Sequence, residues 1–501
     1  MPLTKLITAF LVIAIGAPFV RSQPLTRRQQ LASQVRAEFL HAWNGYKKYA
    51  WGHDDLKPLS KSYHDWYAEP LLMTPVDALD TMILMGLKAE ANSTREYIAT
   101  HLSFDKDIDV QNFEITIRLL GGLLSSYELT GDRRLLRLAE DLGNRLLPVF
   151  ESPTGLPYRY VNLKTGKVRG NISNPAEIGT LLIEFGTLSK HTHKTIYFEK
   201  AKRALVETYK RRSPIGLVGT WINVDTGDWT DKDSHISGAI DSYYEYLLKC
   251  AILFNDRDCR RMWDESIVAI NKYLAEQIER PDPRSPGATV TELWYGHADM
   301  NTGRRGATTY GALDAFFPAV LVLSGDFARA RDLQRSSVNM WNLHGIEPEE
   351  IEYRTMAVAS PAYHLRPEII ESTYYLFQHA QKERAKLLTS KPEARDKIML
   401  SSWQHSAVLY QASAQSMFED FVKYCRTEAG YAALKSVVTK EKTDTMQSFL
   451  FAETFKYFYL LFAPPRTLDF DAVIFNTEAH PVARASRPWS TRKMRVPLVK
   501  H

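Results

Sequence analysis

Several carboxylates lie within helical stretches that are otherwise apolar or aromatic. Glu114 adjoins an aliphatic stripe, with Arg118 one turn further on, and Asp241 shares a helix face with Glu245. Burying a carboxylate costs free energy unless the group is paired or used, so these positions are candidates for chemistry. The same property marks a second group of acids: Glu349, Glu368, Glu371 and Glu453. Each acid alone could instead be a capping or ion-paired residue.

Two of these acids suit opposite roles in acid–base catalysis. Glu368 follows Pro367 at a predicted helix start, where the helix dipole favours an ionised carboxylate that could act as a base. Glu114, in mid-helix among aliphatic residues, suits an acid, although Arg118 opposes its protonation, which leaves that assignment open. Paired carboxylates on either side of a sugar are the equipment of glycoside hydrolysis.

Amphipathic helical patterns recur along the whole chain. Phe113, Ile117, Leu120, Leu124 and Tyr127 step by three or four residues and predict one such helix. Similar patterns predict helices at 29–48, 75–88, 132–150, 177–190, 194–211, 239–253, 260–278, 309–323, 325–342, 367–380, 400–425 and 446–462.

Strand signals are few and short, at 158–161, 217–224 and 471–475. Helices in successive pairs, with no linker between them, predict an all-α toroid of inner and outer helices. We expect one domain over residues 23–482.

Both ends of the chain carry signals outside that domain. Residues 1–22 predict a secretory signal peptide, because Lys5 precedes an apolar stretch of suitable length. Arg21 makes the cleavage site weaker, so the alternative is an uncleaved anchor that contacts the membrane. Removing the signal leaves 61 basic against 58 acidic residues, which argues against nucleic acid as a partner. Residues 483–501 predict a basic, disordered tail.

Cysteines and glycosylation sequons fit passage through an oxidising lumen. Cys250, Cys259 and Cys425 are the three cysteines; the first two could bridge locally, and an odd number leaves at least one unpaired within the chain. Asn92 and Asn171 begin the acceptor triplets Asn-Ser-Thr and Asn-Ile-Ser.

The candidate acids lie in stretches that resemble glycoside hydrolase family 47, the class I α-mannosidases. The resemblance runs from about residue 42 to 481, and its motifs in this order are highly specific. They are 49–52 with 56–58, 76–81 with 85–87, 113–125, 241–248, 365–372, 448–457 and 475–481.

This resemblance implies an (α/α)7 barrel and a calcium-dependent, inverting exo-α1,2-mannosidase. It implies that Glu114 is the general acid, acting through water, and Glu368 the general base, with Asp241 and Glu349 as further active-site carboxylates. It implies that Thr477 binds Ca²⁺ through its carbonyl and hydroxyl oxygens, which suits a hard cation. Residues expected to hold the terminal mannose or the water around the ion are Arg118, Arg366, Phe449, Glu453 and Glu478.

Three departures from the family pattern bear on the branch. Ala239 replaces an Arg of the strict endoplasmic-reticulum enzyme, segment 310–318 lacks a frequent His and disulfide Cys, and Gln447 replaces a Glu. The first two departures are similar to the degradation-enhancing mannosidase-like branch, whereas segment 49–58 looks more like the processing branch.

The resemblance also implies a cellular role. The expected substrates are high-mannose N-glycans on glycoproteins in the endoplasmic-reticulum lumen or secretory pathway, with secretion left open and a lumenal oxidoreductase as a candidate partner. The competing interpretation is a mannose-binding receptor for misfolded glycoproteins that has no turnover, which Gln447 and the missing His favour.

Overall fold

The computed structural model describes residues 25–281, 287–389 and 394–484. The predicted signal peptide and all but the first two residues of the predicted tail therefore fall outside the described residues. The α-helices are α1 (Arg27–Tyr49), α2 (Met73–Met85), α3 (Lys88–His101), α4 (Asn112–Ile115), α5 (Gly121–Thr130), α6 (Arg133–Leu146), α7 (Pro175–Gly179), α8 (Leu182–Thr192), α9 (Ile196–Lys210), α10 (Asp241–Phe254), α11 (Arg257–Tyr273), α12 (Phe317–Ser324), α13 (Phe327–Asn342), α14 (Glu368–Thr389), α15 (Ala394–Cys425) and α16 (Phe455–Phe462).

Fourteen of these helices, all except the short α4 and α7, pack as seven pairs arranged in a closed ring. The pairs are α2 with α3, α5 with α6, α8 with α9, α10 with α11, α12 with α13, α14 with α15, and α16 with α1. The first member of each pair also contacts the first member of the next, and α16 contacts α2. The ring closes because the first helix of the chain packs on the last, so the predicted all-α fold and its (α/α)7 barrel are confirmed.

Composition separates the inner helices from the outer ones. Every residue of α16 is buried, and so is nearly all of α2 and α12, which is typical of helices enclosed on all sides. The outer helix α6 instead buries one stripe, formed by Leu135, Leu136, Ala139, Leu142 and Leu146, and exposes its charged face. In the described part of the chain, no helix has the length and apolar character needed to cross a membrane.

Short strands are more numerous than the sequence predicted, and they form sheets of two or three strands. They are β1 (Asp55–Lys57), β2 (Ser62–His64), β3 (Asp109–Gln111), β4 (Tyr160–Asn162), β5 (Val168–Arg169), β6 (Ile172–Ser173), β7 (Trp221–Asn223), β8 (Trp229–Asp231), β9 (Asp233–Ser234), β10 (Ala275–Pro281), β11 (Thr289–Tyr295), β12 (Ala298–Asp299), β13 (Thr309–Gly311), β14 (Glu350–Glu352), β15 (Ala357–Ser360), β16 (Val473–Phe475) and β17 (Pro481–Ala483). They connect the helices, so local periodicity gave little sign of them.

Three helix predictions were wrong for identifiable reasons. The α-helix predicted over 309–323 begins only at Phe317, because residues 309–311 pair with β14 as strand β13. The helix predicted over 260–278 ends at Tyr273, because the next residues pair with β11 as strand β10. Helix α3 was missed because it buries only Ala91, Thr94, Arg95 and Ile98, a set with too few apolar members to make a stripe.

Two of the three cysteines form a disulfide bond, and the third is a free thiol. Cys250 and Cys259 form a disulfide that joins the inner helix α10 to its outer partner α11. Cys425 is free and buried at the end of α15.

A buried ion network fixes the turn 476–480, which follows β16. His480 contacts the Asp80 carboxylate through Nδ1 at 2.8 Å and the Asp77 carboxylate through Nε2 at 3.3 Å. Lys456 pairs with Asp80 at 2.9 Å and donates to the Ala479 carbonyl at 2.5 Å. All four ionisable side chains are fully buried.

The charges of this network compensate one another. Burial alone would lower the pKa of His480, but the two carboxylates raise it to about 9, so the imidazole carries charge at neutral pH. Burial would raise the pKa of Asp80, but Lys456 and His480 hold it at about 2. Oppositely charged side chains from helices α2 and α16 thus fix the position of the turn.

Replacing Lys456 with Met should therefore destabilise the fold strongly. The change leaves Asp80 short of a partner in the interior, and breaking a buried pair in this way costs about 3–5 kcal/mol. Urea unfolding measures the loss. Lys382→Met is the matched control, because Lys382 pairs with Asp471 at the surface, where such a pair contributes about 0–1 kcal/mol. Equal losses in the two variants would contradict a supporting role for the network.

Candidate active site

One cavity of about 440 Å³ collects most of the residues singled out from the sequence. That volume lies within the range of small-ligand sites. Nine of the ten predicted site residues line it: Glu114, Arg118, Asp241, Arg366, Glu368, Phe449, Glu453, Thr477 and Glu478.

Glu349 is the predicted site residue that does not line the cavity. Its carboxylate accepts a hydrogen bond from Arg366 Nη2 at 2.9 Å and another from the His364 amide at 3.1 Å. Pro367 and Glu368, which follow Arg366, do line the cavity. The expectation that Glu349 is a carboxylate of the active site therefore needs correction, because its side chain contacts Arg366 and not the cavity.

Irregular backbone carries several of the lining side chains. Arg118 lies in a π-helical turn, Thr116–Leu120, and Glu453 in another, Leu450–Thr454. Such turns are frequent at functional sites because they shift side chains out of helical register. Ala239, Leu365 and Ala479 adopt left-handed φ values of 75°, 65° and 55°, each within two residues of a predicted site residue. Strain of this kind persists only where the surrounding structure enforces it.

Arg118 is held from several directions. Its guanidinium donates to Glu114 at 2.9 Å and also bonds Glu478. The Trp66 and Phe449 rings lie 5.0 and 5.7 Å from it, within the range of cation–π contacts. Its pKa stays above the usual value, because its carboxylate neighbours outweigh the effect of burial. Glu114 thus faces the cavity beside a fixed positive charge.

Burial shifts the titration of the acids across the cavity. It raises the pKa of Asp241 to about 7. It also raises the pKa of Glu368 to about 7, although Arg366 opposes the shift. Desolvation thus opposes the effect that the helix start was expected to have on Glu368, because burial favours the neutral acid more than Arg366 favours the carboxylate. Burial and three nearby carboxylates, those of Glu478, Glu368 and Glu371, raise the pKa of Glu453 well above its usual value.

Thr477 presents oxygen atoms to this acidic surface. Its amide donates to the Tyr246 hydroxyl at 3.3 Å. Among the hydrogen bonds of the described residues, none ends on its carbonyl or hydroxyl oxygen. Eight acids line the same cavity against two arginines, Arg118 and Arg366; the acids are Glu114, Glu177, Asp241, Glu245, Glu368, Glu371, Glu453 and Glu478.

A polar edge of the cavity was not singled out from the sequence. Gln111 donates to Glu177 at 3.1 Å, and Arg159 bonds the same carboxylate at 2.6 Å while lying over the Trp221 ring. Gln111, Glu177 and Trp221 line the cavity, and two of them are only half-buried. Gln111 and Trp221 come from strands β3 and β7, and Glu177 from α7, a helix of five residues that is too short to show a helical period.

A second polar cluster lies outside the cavity lining. His297 Nδ1 contacts Asp233 at 2.6 Å, and the His235 and His297 rings lie 4.5 Å apart. His235 bonds Thr220 at 3.1 Å and the Ser237 amide at 3.2 Å. Since its ring nitrogens already have partners, this cluster is satisfied by hydrogen bonds.

The cavity has the equipment of a glycosidase site. Glu114 and the pair Asp241 and Glu368 are carboxylates on different elements of one small cavity, as acid–base attack on a glycosidic bond requires. The Phe449 ring offers an apolar face to a sugar, and the arginines can donate to sugar hydroxyls.

Comparison with known proteins agrees with this site. The family model described as glycosyl hydrolase family 47 matches residues 38–484. Alpha-mannosidase I MNS5 of Arabidopsis thaliana is 34% identical, over 94% of this chain and 81% of that protein. The human ER degradation-enhancing alpha-mannosidase-like protein 2 is 32% identical, over 90% of this chain and 77% of that protein.

A solved structure supports the same relationship. The alpha-1,2-mannosidase from Trichoderma reesei superposes with a TM-score of 0.76 and 27% identity, covering 91% of this chain and 99% of that one. Relatives named as mannosyl-oligosaccharide 1,2-alpha-mannosidases likewise match over most of the chain. This protein belongs to glycosyl hydrolase family 47 and is a glycoside hydrolase of the α-mannosidase type.

Proposed function

We propose that this protein is a calcium-dependent, inverting exo-α1,2-mannosidase that trims high-mannose N-glycans on glycoproteins. The observation that supports it most is the convergence of Glu114, Asp241, Glu368 and Thr477 on one cavity. The names of relatives add support, since they include mannosyl-oligosaccharide 1,2-alpha-mannosidases and the Trichoderma reesei alpha-1,2-mannosidase. The catalytic unit is a single domain spanning residues 23–482.

In this proposal the acids act on opposite sides of the terminal mannose. Glu368 removes a proton from the attacking water, and Glu114 delivers a proton through a second water to the leaving oxygen. Asp241 is a further carboxylate beside the sugar. Arg118 and Phe449 hold the ring, together with Arg366, Glu453 and Glu478.

Calcium fits the donor set around Thr477. Two oxygens without a protein donor stand beside an excess of buried carboxylates, and hard cations of this size take oxygen ligands. Thr477 would hold the ion through its carbonyl and hydroxyl oxygens. When bound, Ca²⁺ supplies positive charge that orients sugar hydroxyls and polarises water. The protein residues then position the sugar and move the protons.

The proposed place of action is the endoplasmic-reticulum lumen or the secretory pathway. Relatives named for endoplasmic-reticulum processing and for degradation enhancement match at similar identity, 35% and 32%. The small Ala239 beside Asp241 favours the degradation-enhancing branch, with a lumenal oxidoreductase as candidate partner.

Mannose release from a high-mannose N-glycan tests the reaction directly. We expect the parent to release mannose, and Glu114→Gln and Glu368→Gln each to lower kcat/KM by about 10²–10⁴, the usual contribution of a general acid or base. Glu441→Gln, at an exposed ion pair, should match the parent. Glycan binding without release in the parent, unchanged in both variants, would instead support a mannose-binding receptor.

Calcium removal and a Thr477 substitution test the metal. Chelation should abolish mannose release and lower Tm, because an ion that binds only the folded state adds about 2.7 kcal/mol at a hundredfold excess over its Kd. Thr477→Val should remove both the activity and the calcium-dependent rise in Tm, whereas Thr100→Val, on the exposed face of α3, should keep both. Full activity of the parent in chelator would refute calcium dependence.

The pH profile tests the ionisation of the base. Because burial raises the pKa of Glu368 to about 7, the basic form is lost as pH falls through 7, and kcat/KM should fall on the acid side. Asp241 titrates in the same range, so the apparent pKa belongs to the cluster. In Glu368→Gln the acid limb of the residual activity should move to lower pH, because Asp241 then titrates without the negative charge of Glu368 beside it. A parent profile flat down to pH 5 would contradict a buried base.

A further inference from the structure

Asn171, the first residue of one sequon, is exposed immediately before strand β6. It follows Gly170, whose φ of +80° turns the chain into the strand. Its side-chain amide donates to Asp225 at 2.9 Å, and that partner is itself near the surface. Neither group is enclosed, so the amide nitrogen is available for a glycan, which needs a surface position.

Strand β6 leads from Asn171 straight to the cavity. Exposure falls along it, from Ile172 at 38% to Ser173 at 1% and Asn174 at 2%, and Asn174 lines the cavity. The partner strand β7 begins with Trp221, which also lines the cavity. At about 3.3 Å per residue, Asn171 lies about 10 Å along the chain from the cavity edge.

The second sequon is placed differently. Asn92 is half-buried in α3, an outer helix that packs against α2 and α6. None of the residues from 88 to 101 lines the cavity, so a glycan at Asn92 would not share the position of one at Asn171.

We propose that Asn171 carries a high-mannose N-glycan and that the protein trims this glycan in its own cavity. This inference rests on the proposed function. In each cycle water adds its hydroxyl to C1 of the terminal mannose, the bond from C1 to the linking oxygen breaks, and that oxygen takes the proton. The attachment makes the step intramolecular, so its rate follows the effective concentration set by the tether rather than the protein concentration.

The test follows the glycan at each site over time. The full-length protein is produced in a secretory host under a mannosidase inhibitor, freed of the inhibitor and supplied with calcium. Glycopeptide mass spectrometry then follows Asn171 and Asn92. The half-time of trimming at Asn171 should stay constant over about a tenfold dilution, because an intramolecular rate does not depend on concentration. Any glycan at Asn92 should be trimmed more slowly on dilution, and Glu368→Gln should keep its Asn171 glycan intact.

The outcomes separate this inference from the proposed function. Asn171→Gln should trim a free high-mannose glycan at the parental rate, because the amide lies outside the cavity lining. An unmodified Asn171, or a half-time at Asn171 that lengthens in proportion to dilution, would overturn the inference while leaving the proposed function standing. A parent that releases nothing from the free glycan would overturn both.

Discussion

The structure depends on a set of buried charges that fixes the turn 476–480 inside a ring of helices. Lys456 and His480 neutralise Asp80 and Asp77, and Arg118 links the same region to Glu478. A buried carboxylate without such partners would be protonated or would destabilise the fold. Because the partners come from helices at both ends of the sequence, the turn can be held only when the barrel closes, which ties the position of Thr477 to the completion of the fold.

The same interior shapes the chemistry of the cavity. Water is excluded from several carboxylates at once, so burial raises the pKa of Asp241 and of Glu368 towards neutrality. Groups that titrate near the working pH are effective acids and bases. This concentration of acidic side chains favours a bound cation beside Thr477, because the guanidinium groups of Arg118 and Arg366 supply only part of the compensating positive charge. The burial of these carboxylates, which is unfavourable for folding, thus also gives them the raised pKa values on which the proposed activity depends.

The sequence predicted the helical barrel and most of the cavity residues because these depend on local patterns and on motifs along the chain. It could not predict that Glu349 faces Arg366, because a side chain's direction depends on tertiary packing. Nor could it predict the extent of burial at Glu368, which comes from distant helices rather than from its neighbours. The polar edge around Glu177 was missed because it is built from two short strands and a five-residue helix, which are too short to show a period.

A crystal structure with calcium and an α1,2-linked mannose disaccharide bound to Glu368→Gln tests the assembled site most directly. We expect a single ion at the cavity floor, bonded to both oxygens of Thr477, with the terminal ring against Phe449 and with Glu114 and position 368 on opposite sides of it. An ion bound away from Thr477, or a sugar outside the cavity, would contradict the proposed site.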